Sequence, residues 1–164
     1  MKLDFPAHVF IIPDGNRRWA RDKRLMPWQG HKEGAKRFHE IQEAAFDCGI
    51  PYFTFWAASE DNLLKREPIE VRFLTKLVYR EIKGVMVEKL LKDQIRLRVL
   101  GKWEEIFSDS KLSDCIRSLE EKTSAFEDRR LTILLGYSGK TEIAETVKMI
   151  HASGADVRNI TFDI

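Results

Sequence analysis

Residues 13–20 read Pro-Asp-Gly-Asn-Arg-Arg-Trp-Ala and follow the apolar run HVFII at 8–12. Asp14 leaves that run into a tight turn, where Gly15 and Asn16 suit unusual backbone angles. Arg17 and Arg18 add fixed charge and forked donors of the kind that suit phosphate. Five of the eight residues 17–24 are Lys or Arg, ending at Arg24. A helix opening at Arg17 would also turn backbone N–H groups and its positive end toward an anion. An aspartate beside such a site has a use, because Mg²⁺ is held by one or two carboxylates together with substrate phosphates. The same residues also suit an Asx turn that only starts a helix, and a basic run also serves as a solvated face.

Other polar groups stand where apolar runs end. The spacing predicts a helix from His31 to Cys48. A histidine at its N-terminus is kept neutral by the positive helix end, free to hydrogen-bond a phosphate and still move a proton. His8, His39 and His151 read as caps or surface residues, and no spacing suits a metal cluster. After the run YFTFWA at 52–57, Ser59 and Asn62 offer neutral hydrogen bonds, and Lys65 and Arg66 offer positive charge. These residues also read as a helix cap before Pro68. The sequence GYSGKT at 136–141 ends like a P-loop, but the first glycine of that motif falls on Leu134. Asn16 stands where an aspartyl phosphatase would carry its acid partner. Nucleotide hydrolysis and aspartyl phosphoryl transfer are set aside on those grounds.

The elements that must position these groups are legible in outline. Four β-rich runs occur, at 8–12, 52–57, 95–100 and 131–135. The first, second and fourth are nearly continuous apolar runs, as when both faces are covered. The third alternates, with Arg96 and Arg98 on one side, and suits an edge. Helical stripes fill the gaps at 31–48, 68–91, 110–125 and 140–150, the second with Gly84 as a weak point. Alternating strands and helices predict an α/β fold, a single domain with a central, mostly parallel sheet flanked by helices. The segment 154–164 contains ITFDI, a candidate fifth strand. The chain has 164 residues, 43% hydrophobic, with formal net charge +2. That balance excludes intrinsic disorder, and no apolar run reaches the length of a membrane span. Two cysteines without a CxxC spacing, and no signal-peptide pattern, make the cytoplasm the expected setting.

Together the segments HVFIIPDGNRRWA, GHKEGA, TFWAASEDNLLKR, LRVLGKW and LLGYSGKTEI resemble the cis-prenyltransferases, the undecaprenyl and dehydrodolichyl diphosphate synthase family. Order and spacing agree from about Ala7 to about Val147. The Pro-Trp-Gln-Gly-His block at 27–31 is similar to archaeal-type members. The resemblance implies condensation of isopentenyl diphosphate onto an allylic prenyl diphosphate with Mg²⁺, forming Z double bonds. It makes Asp14 the catalytic aspartate that positions Mg²⁺ and the diphosphate. Gly15, Asn16, Arg17 and Arg18 become the loop around the primer's diphosphate, with Trp19 the neighbouring aromatic and His31 a phosphate contact. Ser59 and Asn62 become the pair near the isopentenyl unit and its proton. The helix from Pro68 becomes a wall of the product tunnel.

Departures from the family pattern are also visible. Leu63 replaces an aromatic, and an inserted residue leaves Lys65 or Arg66 to match the family's arginine. Pro27 falls where a basic residue is usual, with Arg24 nearby. The family continues into an RxxxRxS-type segment and a later Glu that bind isopentenyl diphosphate and complete the Mg²⁺ site, and nothing after Thr141 carries that pattern. Residues 1–164 therefore read as one cis-prenyltransferase-like domain without the C-terminal segment. Two functions follow: a polyprenyl diphosphate synthase, as a homodimer or with a related subunit, or a non-catalytic subunit that binds prenyl diphosphate. Peripheral membrane contact is expected only through product. A nucleic-acid module is the third class, and it has no signature here.

Overall fold

The computed structural model describes residues 5–156 and Arg158. The 160–164 run expected as a fifth strand lies outside the described residues. Four strands, β1 (His8–Ile11), β2 (Tyr52–Ser59), β3 (Ile95–Leu100) and β4 (Arg129–Tyr137), form one parallel sheet in the order β1-β2-β4-β3. Between them run α1 (Asn16–Asp22), α2 (Pro27–Asp47), α3 (Glu60–Leu64), α4 (Pro68–Lys83), α5 (Val85–Lys92), α6 (Trp103–Phe107) and α7 (Ser110–Thr123), and α8 (Gly139–Ser153) follows β4.

Local chemistry sets the helix boundaries. Pro27 and Pro68 occupy first-turn positions, where a missing N–H costs nothing. Ser59, Asp109 and Ser138 accept backbone N–H groups at the starts of α3, α7 and α8. The helix expected from His31 begins four residues earlier, so His31 sits one turn inside α2 rather than at its end. The single helix expected over 68–91 is two. Gly84 leaves the helical conformation (φ −100°, ψ −127°) and separates α4 from α5.

Register and alternation give the sheet two unlike faces. Val9, Ile11, Phe53, Phe55, Leu131, Ile133, Ile95, Leu97 and Val99 face the main core, with Phe38, Phe46, Leu90, Leu112 and Ile116 from α2, α5 and α7. Phe38 lies 4.5 Å from Phe55 between ring centroids. The other face carries Phe10, Tyr52, Thr54, Trp56, Arg130, Arg96 and Arg98. β3 is an edge, as its arginines suggest. β4 is central, with a buried run from Ile133 to Gly136. β1 departs from expectation: it is the opposite edge, and Phe10 remains 48% exposed. Its apolar run is covered on one face only, since Val9 and Ile11 meet the core while Phe10 lies on the other face.

Candidate functional site

A cleft opens beyond the carboxyl ends of β1 and β2, the usual place for ligands in open parallel sheets. Gly15 takes a left-handed conformation (φ +97°) that turns the chain from β1 into α1. Its N–H donates to Asp14 Oδ1 at 2.6 Å, and Arg18 Nη2 donates to Asp14 Oδ2 at 2.9 Å. The Asp14 side chain is 83% exposed. Asn16 is clasped by two glycines of α2. A Cβ on Gly30 would lie 2.0 Å from Asn16 O, and one on Gly34 would lie 2.7 Å from its Nδ2. This close approach lets α2 bring His31 beside the loop.

Asp14, Gly15, Asn16, Arg17, Arg18, Arg24, His31, Ser59, Asn62 and Arg66 all line the cleft, joined by Arg21 and Trp56. Ser59 Oγ also accepts the Asn62 N–H at 3.1 Å, so the cap and the site share residues. Two expected site residues lie elsewhere. Trp19 lines an adjoining depression that shares Pro13, Asp14, Gly15 and Asn16 with the cleft, with Lys23 over its ring at 5.2 Å. Lys65 is outside the cleft and pairs with Asp61 at 3.2 Å, leaving Arg66 as the cation there. Arg24 has φ +56° at the end of α1, a strained angle for a side-chain-bearing residue.

Sequence reasoning missed Glu70. Its Oε1 accepts from Arg66 Nη1 at 2.5 Å, lies 3.0 Å from His31 Nε2 and sits 4.0 Å from Arg17 Nε. The visible signal was only its spacing, four residues after Arg66. His31 is nearly buried, its side chain 10% exposed. Burial depresses its pKa below the ordinary 6.5; the Glu70 hydrogen bond opposes this, and Arg66 and Arg17 add to it. The expected neutral ring holds in direction, with burial rather than a helix end as its main cause. His39 is no surface residue either; its Nε2 lies 2.8 Å from Glu81 across α2 and α4.

Behind the cleft lies an apolar cavity between the sheet and α2 and α4. Its volume is about 120 Å³, and Phe38, Phe55, Leu74, Leu77, Val78 and Ile133 are among its walls. Pro13, Asn16, His31, Ala57 and Ala58 line both cleft and cavity. Charge therefore passes directly into a greasy interior. No helix among the described residues is long and apolar enough to cross a membrane.

Residues 12–163 match the undecaprenyl diphosphate synthase family model. An isoprenyl transferase of Deinococcus radiodurans is 36% identical over 144 residues, 87% of this chain and 52% of its own length. A tritrans,polycis-undecaprenyl-diphosphate synthase (geranylgeranyl-diphosphate specific) of Pyrococcus horikoshii is also 36% identical, over 146 residues, 88% of this chain and 54% of its own. These two relatives, one bacterial and one archaeal, are equally near by identity. Lavandulyl diphosphate synthase from Lavandula x intermedia, solved in complex with dimethylallyl diphosphate, shares the fold at TM-score 0.84 and 25% identity, covering 95% of this chain and 67% of that one. The chain spans about half the length of the curated relatives it matches. On the match over residues 12–163, the chain belongs to the undecaprenyl diphosphate synthase family of prenyltransferases.

Proposed function

We propose that this chain carries the primer-binding half of a cis-prenyltransferase site, for transfer of isopentenyl units from isopentenyl diphosphate to an allylic prenyl diphosphate with Z stereochemistry. The observation that carries this reading is the junction at Pro13, Asn16, His31, Ala57 and Ala58, shared by the arginine-rich cleft and the apolar cavity. A ligand lying across it has an anionic head and a hydrocarbon tail, the chemistry of a prenyl diphosphate. Arg17, Arg18, Arg24 and Arg66 bind the head, and His31 sets an imidazole beside it. Such fixed donors favour the charge that develops on a departing diphosphate. The apolar walls keep water from the reacting carbon chain. Ser59 and Asn62, neutral hydrogen-bonding groups, orient the isopentenyl unit at the end of β2 beside the proton it loses, which the departing diphosphate takes up.

Asp14 is a single exposed carboxylate, and the described residues hold no group of three or more His, Cys, Asp or Glu able to bind a metal. That donor set fits Mg²⁺ brought in on the diphosphate, whose oxygens and waters complete the shell. Bound there with Asp14, Mg²⁺ would neutralise charge on the leaving group.

A second reading is a subunit that binds prenyl diphosphate without turnover, since the cleft's arginines suit one diphosphate and Arg158 spends its guanidinium on Asp156 at 2.7 Å. In the transferase reading the isopentenyl diphosphate site lies outside residues 1–164. The test is incubation with radiolabelled isopentenyl diphosphate, farnesyl diphosphate and Mg²⁺. A polyprenyl product that disappears in Asp14→Ala supports transfer; no product, alone or with a related subunit, overturns it. Calorimetry with farnesyl diphosphate tests the second reading. Binding weakened about tenfold or more by Arg18→Ala supports it, and affinity unchanged in both Asp14→Ala and Arg18→Ala removes the ligand.

A further inference from the structure

Glu70 belongs to none of the segments that mark the cleft, yet two cleft residues converge on it. It stands in the first turn of α4 with its side chain 11% exposed. Its Oε1 lies 2.5 Å from Arg66 Nη1 and 3.0 Å from His31 Nε2. Arg66 Nη1 is also 3.0 Å from His31 Nε2. An arginine offers donors only and an ionised carboxylate acceptors only. His31 Nε2 therefore cannot satisfy both neighbours at once. Bonded to Glu70 it carries the proton; bonded to Arg66 it presents a lone pair. The choice fixes the tautomer, and Nδ1 takes the opposite role. Glu70 is the stronger claimant, because a buried anion rewards each N–H aimed at it with a charge-assisted bond. Arg66 Nη1 already spends a donor on the same oxygen.

We infer that Glu70 is a positioning residue of the diphosphate site: its carboxylate holds the His31 proton on Nε2, leaves Nδ1 as the ring's lone-pair nitrogen, and pins the Arg66 guanidinium alongside. The inference rests on the proposed primer site and deepens it. A neutral His31 in this tautomer meets an incoming diphosphate as a proton acceptor and becomes a donor only by taking up a proton. Three charged groups face the ring: Glu70 from α4, Arg66 from the α3–α4 turn and Arg17 from α1. Glu70 favours the protonated ring, and the two arginines oppose it. Removing Glu70's charge should lower the midpoint of His31 titration, and removing Arg66 should raise it.

The test reads the ring directly. Spectra of the ¹⁵N-histidine-labelled full chain over about pH 5 to 8 show which nitrogen carries the proton, and calorimetry with farnesyl diphosphate measures affinity. Expected in the unmutated chain is a protonated Nε2 and a bare Nδ1. In Glu70→Gln the Nε2 preference is lost, the midpoint falls and farnesyl diphosphate affinity drops about tenfold. In Arg66→Gln the tautomer stays and the midpoint rises. A proton on Nδ1 in the unmutated chain overturns the inference without any variant, so a Glu70→Gln that fails to fold leaves it decidable. Ring signals unchanged in a folded Glu70→Gln overturn it too. If the unmutated chain binds no farnesyl diphosphate while His31 still answers to Glu70, the primer-site reading fails and the contact stands.

Discussion

His31 and Glu70 both hold pKa values below their ordinary ones, and each helps set the other's. Burial acts on both, lowering His31 and raising Glu70, but His31, Arg66 and Arg17 outweigh it at the carboxylate. Below pH 6.5 the unfolded histidine binds a proton that the folded one refuses, so stability falls as pH drops from 6.5 toward the folded value. Glu70's contribution is complete above 4.5 and is lost as pH falls through its own lowered value. Melting temperature should therefore fall in two stages on acidification, and His31→Gln should flatten the first; an unflattened profile would contradict this account. Asp14, Arg17, Arg18, Ser59 and Asn62 were legible because suitable side chains stood where apolar runs ended. Glu70 was not, since a glutamate four residues after an arginine reads as an exposed helix pair until α2 is laid across it. That Trp19 and Lys65 stand outside the cleft lining was not visible for a related reason. Which way a side chain leaves a short helix depends on what that helix packs against.

At the scale of elements, the loop and α2 interlock like a peg between two notches. The notches differ in what fills them. Gly30 faces the backbone carbonyl of Asn16, and Gly34 faces its side-chain amide. Gly30→Ala cannot be absorbed without moving the chain and should cost about 1–3 kcal/mol in urea unfolding. Gly34→Ala displaces only the end of a side chain, so it should unfold near the unmutated midpoint while losing affinity for farnesyl diphosphate. Equal unfolding midpoints for the two variants would refute the interlock. Pro27 was the missed sign of where α2 starts, because proline favours the first turn of a helix. The weakness at Gly84 was visible, but the full break was not. The apolar stripe over 68–91 suggested continuity, and only the fold shows α4 walling the cavity and α5 turning onto β3, with Met86 also lining the cavity.

For the whole molecule, strand–helix alternation was enough to give a parallel α/β sheet. Strand order was not written there, since it follows from which crossovers pack best. The consequence is two faces of unequal worth. Phe53 is 1% exposed in the core, whereas Phe10, on the neighbouring strand, stacks on Trp56 at the open face. Phe53→Ala should cost about 3–5 kcal/mol, and Phe10→Ala well under half of that; comparable losses in a denaturant titration would mean that the second face is covered in solution.

One further consequence lies in the place of β4. It stands between β2 and β3 in the sheet but follows both in the chain. As the polypeptide leaves the ribosome, β1 can meet β2, while β3 has no strand to join until Tyr137 has emerged. Each parallel pairing closes a long loop, and such contacts form late. The half-made sheet meanwhile leaves apolar edges open. Cavity and core are finished together, because Ile133 and Leu135 of β4 wall both.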